Sequence, residues 1–363
     1  MITEIIKIDP LAPDVKSIKR AAEYIKNGKI VVFPTETVYG IGASVFNPMA
    51  CKRIFEIKGR PADNPLIVHV SSLDMAKSLA YIPKEFEEAI KNVWPSPITF
   101  IAKAKEGLPD EVTAGLDTVA LRMPAHKIAL SLIENAGPIA APSANPSKKP
   151  SATSGEHAIL YFEGKAECII DGGKSFFGVE STIINLENFE IIRPGPFTVE
   201  EIEGAFKRKP LVTSITRGVS SEIEGTPISP GIKYKHYAPK TDLFLYSGVL
   251  KELNDIIEQA QNEGIARQDR IAAIGSEEFC SGLKIKNENM IILGKANDLY
   301  MIAKNLYDSL IKIDTLNADF GIIEKYEEKG IGLAIMNRIR KATSHKEFSS
   351  YEGLKNLIRA AKQ

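Results

Sequence analysis

Apolar runs of three to five residues recur through the first 210 positions, and their shortness limits the folds open to this chain more than any other feature. They lie at Ile30–Phe33, Leu66–Val70, Ile98–Ala102, Val119–Met123, Ile139–Ala141, Cys168–Ile170, Ser181–Ile184 and Glu190–Ile192. Runs of this length read as strands, and amphipathic patterns of helical spacing fall between several of them. Asp14 can cap a helix whose apolar residues Ile18, Ala21, Ala22 and Ile25 fall at 3-to-4 spacing and which Gly28 ends. Asn47 and Pro48 form a cap and first-turn pair for another helix running to Lys58. Strands alternating with helices imply a mixed α/β fold. No run approaches the ~18 apolar residues of a membrane-spanning helix, and the start mixes Glu4, Lys7 and Asp9 into its apolar residues, so a mature, cytoplasmic protein without a membrane partner is expected.

A length of 363 residues suggests two compact units at about 150 residues per domain. Residues 1–211 read as one unit. A turn-rich linker follows at 212–240, and short apolar runs resume across 241–363 as a smaller α/β unit, with strands at Leu243–Tyr246, Ile271–Ile274, Met290–Leu293 and Phe320–Ile323. The second part of the linker, Pro227–Pro239, carries Lys233, Tyr234, Lys235, His236 and Tyr237, side chains that a plain spacer does not need, so it is expected to dock on something. Lys plus Arg number 46 and Asp plus Glu number 46, which removes a strong overall pull toward nucleic acid or an acidic membrane. Cys51, Cys168 and Cys280 are odd in number and far apart, against a disulfide framework or a zinc site.

The chemistry collects where strands end. Ile30–Phe33 runs into Pro34-Thr-Glu-Thr-Val-Tyr-Gly40, placing hydroxyls, a carboxylate and a phenol at the strand end where open α/β sheets receive ligands. Lys58 and Arg60 flank Gly59 near a helix end, suited to an anion such as a triphosphate, although cations there also offset a helix dipole. Arg122 lies among apolar residues and needs an anion, for which a substrate carboxylate and an internal Asp or Glu serve equally. His69, Ser143-Ala-Asn145, Ser151, Ser181-Thr182 and Arg193 repeat the pattern, as if converging on one concave site. Asp171-Gly-Gly-Lys-Ser175 fails as a P-loop, because Cys168 stands where its first glycine belongs.

Pro34–Gly40, Lys58-x-Arg60, Ser143-Ala-Asn145 and Ser181-Thr182, in this order, resemble the YrdC-like family, and Ser229–Pro239 resembles the linker of its longer, two-domain form. The resemblance implies a YrdC-like twisted open sheet with a large cavity, plus a smaller Rossmann-like α/β C-terminal domain and a linker folding over the active site. It also implies a nucleotidyltransferase that turns L-threonine, bicarbonate and ATP into threonylcarbamoyl-adenylate and pyrophosphate. That is the first step of N6-threonylcarbamoyladenosine formation at tRNA position 37, which other proteins complete; direct tRNA binding is left open. Carried over by position, Thr35, His69, Arg122 and Ser181 hold threonine. Lys58 and Arg60 are the catalytic cations and surround ATP with Asn64, Ser143, Asn145, Ser151 and Arg193, joined by Thr118 and by the linker's Tyr234 and His236. Magnesium is expected with ATP; its protein ligands are left open, Glu36 being conceivable. The rival reading is a double-stranded RNA-binding module of the same fold, which the near-neutral charge of both halves disfavours.

Overall fold

The structure, a computed structural model, describes residues 1–219, 237–265, 267 and 270–361. It divides into two compact units between Tyr234 and Lys235, with Lys148–Pro150 counted in the second. Among the described residues no helix is long and apolar enough to cross a membrane.

The first unit is built on β1 (Glu4–Lys7), β2 (Val31–Phe33), β3 (Gly40–Ser44), β4 (Ile67–His69), β5 (Ala80–Tyr81), β6 (Ile98–Ala104), β7 (Thr118–Arg122), β8 (Ile139–Ala140), β9 (Cys168–Asp171), β10 (Thr182–Asn185) and β11 (Glu190–Arg193). They form one mixed sheet in the order β1-β9-β2-β3-β8-β4-β7-β6-β10-β11, with β5 beside β6. Central strands are buried on both faces, which is why they read as continuous apolar runs rather than alternating ones. In β2, Val31 and Phe33 pack with the helices Val15–Lys26 and Lys127–Ala136, while Val32 joins the opposite cluster with Cys51, Ile54 and Phe55 of the helix Pro48–Lys58. The helix starts follow their caps. Asp14 accepts from the amides of Lys16 and Ser17, and Asn47 accepts from Ala50 with Pro48 in the first turn.

Strand β3 was not among the sequence expectations. Its sequence, Gly-Ile-Gly-Ala-Ser, lacks a β signal because packing demands the glycine: a Cβ on Gly42 would lie 2.6 Å from Ile139 Cγ2 and 3.0 Å from Phe33 Cε1. After β9, the run Asp171–Ser175 continues without a helix, as its rejection as a P-loop requires.

The second unit holds an all-parallel sheet of β12 (Leu243–Tyr246), β13 (Ile271–Ser276), β14 (Met290–Gly294), β15 (Phe320–Glu324) and β16 (Glu347–Phe348), ordered β14-β13-β15-β12-β16. At the C-terminal ends of neighbouring β13 and β15, the Glu324 carboxylate accepts from Ser276 N (2.6 Å) and Ser276 Oγ (3.0 Å). The helices Gly332–Ala342 and Tyr351–Ala361 and the strand β16 were not foreseen; buried Asn337 and Arg338 interrupt the apolar pattern of the first of these helices. Within the stretch expected to be linker, Ser214–Arg217 forms a short helix capped by Thr213, and Tyr237 is buried against Tyr307 with ring centroids 5.0 Å apart. Tyr234, His236 and the rest of residues 220–236 within the expected lid at 212–240 lie outside the described residues.

Candidate active site

The site starts from a row of side chains fixed by strand register. His69 and Arg122, the last residues of β4 and β7, are direct partners, and Thr99 of β6 is the partner of Arg122 on its other side. Residues opposite one another across a ladder project to the same face, so three polar side chains share one level of a largely apolar sheet. Thr99 Oγ1 is 2.8 Å from Ser181 Oγ, and Arg193, the last residue of β11, donates from Nε and Nη2 to Ser181 O at 3.1 and 3.0 Å and from Nη2 to Ser181 Oγ at 3.2 Å.

The loop from β2 to β3 closes the other side. Thr35 Oγ1 donates to Val38 O at 2.6 Å, and Tyr39 Oη donates to Gly173 O at 2.7 Å. Backbone bonds stitch this loop to the segment after β8: Ala144 N donates to Tyr39 O and Tyr39 N to Ala152 O. Ser143 lies in a bridge with Gly40. In this way Thr35, His69, Arg122, Ser143 and Arg193 line one cleft of about 30 Å3, together with Tyr39, Gly40, Ile67, Pro142 and Glu180. The cations of the cleft are bonded to the chain's own oxygens. A wider surface hollow of about 800 Å3, lined by Asp74, Lys77, Glu87 and Lys91 among others, contains none of these groups, and its Lys77 and Glu87 satisfy each other. Polar convergence therefore marks the narrower cleft.

The cations are held in distinct ways. Lys58 is buried and donates from Nζ to Ser143 O and Asn145 O, both at 2.5 Å; burial, with Arg60 as the next cause, drives its pKa well below the ordinary lysine value. Arg60 Nη2 donates to the carbonyls of Asn64 (3.0 Å) and Pro65 (3.1 Å). Arg122 Nη2 donates to Glu36 Oε1 and Thr37 Oγ1, each at 2.8 Å, so the internal acid that the sequence left as one of two partners is Glu36. Both members of this ion pair are buried. Burial, helped by the Arg122 charge, pushes the His69 imidazole down to about 3, which leaves it neutral at pH 7.

Asn145 ties the nucleotide candidates together. Its Oδ1 accepts from Ser143 Oγ at 2.6 Å and lies 3.5 Å from Ser151 Oγ, which donates to Glu180 Oε1 at 2.7 Å. Glu180 and Thr37 were missed from sequence. The signal for Glu180 was available, a carboxylate between apolar Val179 and a strand entrance; for Thr37 there was none beyond its place in the motif. Asn64 is buried, and its carbonyl is one of Arg60's two acceptors. Thr118 starts β7, four residues before Arg122 and about 13 Å from it along the strand at ~3.3 Å per residue, and does not itself line the cleft.

Comparison with known proteins gives two family matches. Residues 23–195 match the Sua5, YciO and YrdC family model, described as telomere recombination, and residues 197–344 match the model described as threonylcarbamoyl-AMP synthase, C-terminal domain. Among curated proteins, the chain is 44% identical to a threonylcarbamoyl-AMP synthase of Pyrococcus abyssi over 91% of its own length and 94% of the relative's. It is 40% identical to that of Bacillus subtilis over 92% and 95%. Among solved structures it is similar to P. abyssi Sua5 complexed with L-threonine, with a TM-score of 0.87 and 42% identity over 96% of this chain and 99% of that one.

Proposed function

The chain belongs to the Sua5, YciO and YrdC family in its two-domain, threonylcarbamoyl-AMP synthase form, and from that premise we propose that it joins L-threonine, bicarbonate and ATP into threonylcarbamoyl-AMP with release of pyrophosphate. In reaction class it is a nucleotidyltransferase. It acts in the cytoplasm, and its product feeds the machinery that places the threonylcarbamoyl group on adenosine 37 of tRNA. One observation carries the reading: a single cleft is lined by a buried arginine with its own counter-ion, a neutral histidine and a second arginine, next to the Ser143–Ser151 oxygen cluster. The RNA-binding alternative is not favoured by relatives of this similarity over nine-tenths of the chain.

Each residue has a part in this reading. Arg122 meets the α-carboxylate of threonine, while Thr35, Ser181 and the neutral His69 supply hydrogen-bonding groups of no net charge. Lys58 braces the Ser143–Asn145 turn on which the nucleotide rests, and Arg60 and Arg193 bring positive charge toward its phosphates. A carbamate oxygen is a weak nucleophile and the α-phosphorus is shielded by anionic oxygens, so the work of the site is alignment and charge compensation. Magnesium, when bound with ATP, supplies further neutralisation of the phosphates. The donor set fits it: Glu180, Ser143, Asn145 and Ser151 offer hard oxygens, and among the described residues there is no cluster of three or more His, Cys, Asp or Glu to demand another metal. Glu36 is engaged by Arg122 and is not assigned to the metal.

The test is pyrophosphate release from ATP, with threonine, bicarbonate and magnesium omitted in turn. Release should need all three. Release that persists without threonine or bicarbonate overturns the reaction; release that persists in excess EDTA overturns only the metal requirement.

A further inference from the structure

The Glu36–Arg122 pair leaves two atoms unused. Glu36 Oε1 accepts from Arg122 Nη2, but Glu36 Oε2 and Arg122 Nε are buried without a hydrogen-bond partner. Two further atoms near them share this state, Nδ1 of His69 and Nδ1 of His126. Fold stability alone does not ask for such an arrangement, since every unpartnered buried polar atom costs free energy. The charges around the guanidinium add up simply. His69 is neutral, and His126, whose pKa is lowered by burial despite the favourable field of Glu36, is held toward neutrality as well. Thr35 and Thr37 contribute hydroxyls only. The cleft is lined by Arg122, against which Glu36 is held at 2.8 Å, and by Arg193 and Glu180, so positive and negative side chains balance there and the site is neutral in sum.

A subsite of that kind matches a ligand that is also neutral in sum, with one charge of each sign about one bond angle apart. An α-amino acid is such a ligand; a hydroxy acid of the same shape is an anion. We propose that Glu36 is a specificity-determining residue, whose carboxylate is the counter-charge for the substrate's ammonium and makes the subsite select a zwitterion over a simple carboxylate. This rests on the reading of the cleft as the threonine site. Arg122 by itself would favour any small carboxylate, including the hydroxy acids and keto acids of a cell. Glu36 penalises those anions by repulsion and by the loss of a hydrogen bond to Oε2, which is specificity through an unfavourable element placed against the wrong ligand.

The experiment measures binding to the full chain by titration calorimetry, with L-threonine and with (3R)-3-hydroxybutanoate, its analogue lacking the amine. Wild type should prefer threonine by about tenfold or more, since a buried charge left without its counterpart is costly. In Glu36→Gln the preference should collapse to within about threefold, with weaker threonine binding and stronger hydroxybutanoate binding; Glu36→Asp, which keeps the charge, should restore most of it. A residue that merely props up Arg122 would weaken both ligands by one factor and leave the ratio unchanged, and that result overturns the proposal. So does wild type binding the two ligands within threefold of each other, an outcome that needs no variant to fold. If wild type binds no threonine at all, the assignment of the subsite itself fails.

Discussion

Lowering the pH from 7 to 5 should destabilise the first unit through His69 alone by about 2 kcal/mol. The imidazole titrates at about 3 in the folded chain against 6.5 for the free side chain. Between those values the unfolded chain binds a proton that the folded chain does not, so the contribution is fully present above pH 6.5 and is lost as pH falls toward 3. Integrating a slope that approaches about 1.4 kcal/mol per pH unit gives ~0.2 kcal/mol lost at pH 7 and ~2 at pH 5, a window in which most carboxylates are still ionised. The assay is urea unfolding followed by tryptophan fluorescence. Trp94 is the chain's single tryptophan, and its buried indole, donating to Ile98 O, reports on the first unit without interference from the second. His69→Leu keeps an apolar edge toward Phe33, whose ring centroid is 5.9 Å away, and removes the titration. Wild type should lose about 2 kcal/mol more than the variant between the two pH values, roughly 1 M in midpoint at an m-value of about 2 kcal/mol/M. Because His126 shifts in the same direction in both proteins, only the difference is diagnostic. Equal losses in wild type and variant would show that the burial argument for His69 is wrong.

Arg122→Gln should cost about 3–5 kcal/mol, because it strands the buried Glu36 carboxylate, whereas Arg122→Gln with Glu36→Gln should recover most of that loss in the same unfolding assay. Gly195→Ala should raise the KM for ATP and destabilise by about 1–3 kcal/mol: the added Cβ would stand 2.2 Å from Thr182 N and 2.6 Å from Glu180 O, backbone atoms that yield only by shifting β10 away from Arg193. Steady-state kinetics and thermal melts check both effects, and wild-type values would mean that β10 and β11 accommodate a methyl group.

What the sequence disclosed was local. Asp14, Asn47 and Pro48 announce helix starts because a cap is a contact between near neighbours, and the short apolar runs announce strands because burial on both faces leaves no room for polar residues. The ordered motifs likewise marked which loops matter. The destination of each charge was hidden. Arg122 finds Glu36 across 86 positions, Lys58 finds the carbonyls of Ser143 and Asn145 across 85 and 87, and such pairings are set by sheet order, which periodicity does not encode. Strand β3 escaped for the opposite reason, since its glycines are chosen by the neighbours they must clear and not by their own preference for extended backbone.

The bond between Glu324 and Ser276 bears on what the C-terminal sheet is able to host. Parallel sheets of this kind usually receive a phosphate-bearing guest just beyond the carboxyl ends of adjacent strands. Here that doorway between β13 and β15 is already shut from within by a side chain of the same sign as any phosphate, seated on the very amide that a visitor would seek. A phosphate arriving there would meet the Glu324 carboxylate where it needs the Ser276 amide, so the usual anion seat of such a sheet is closed at β13 and β15.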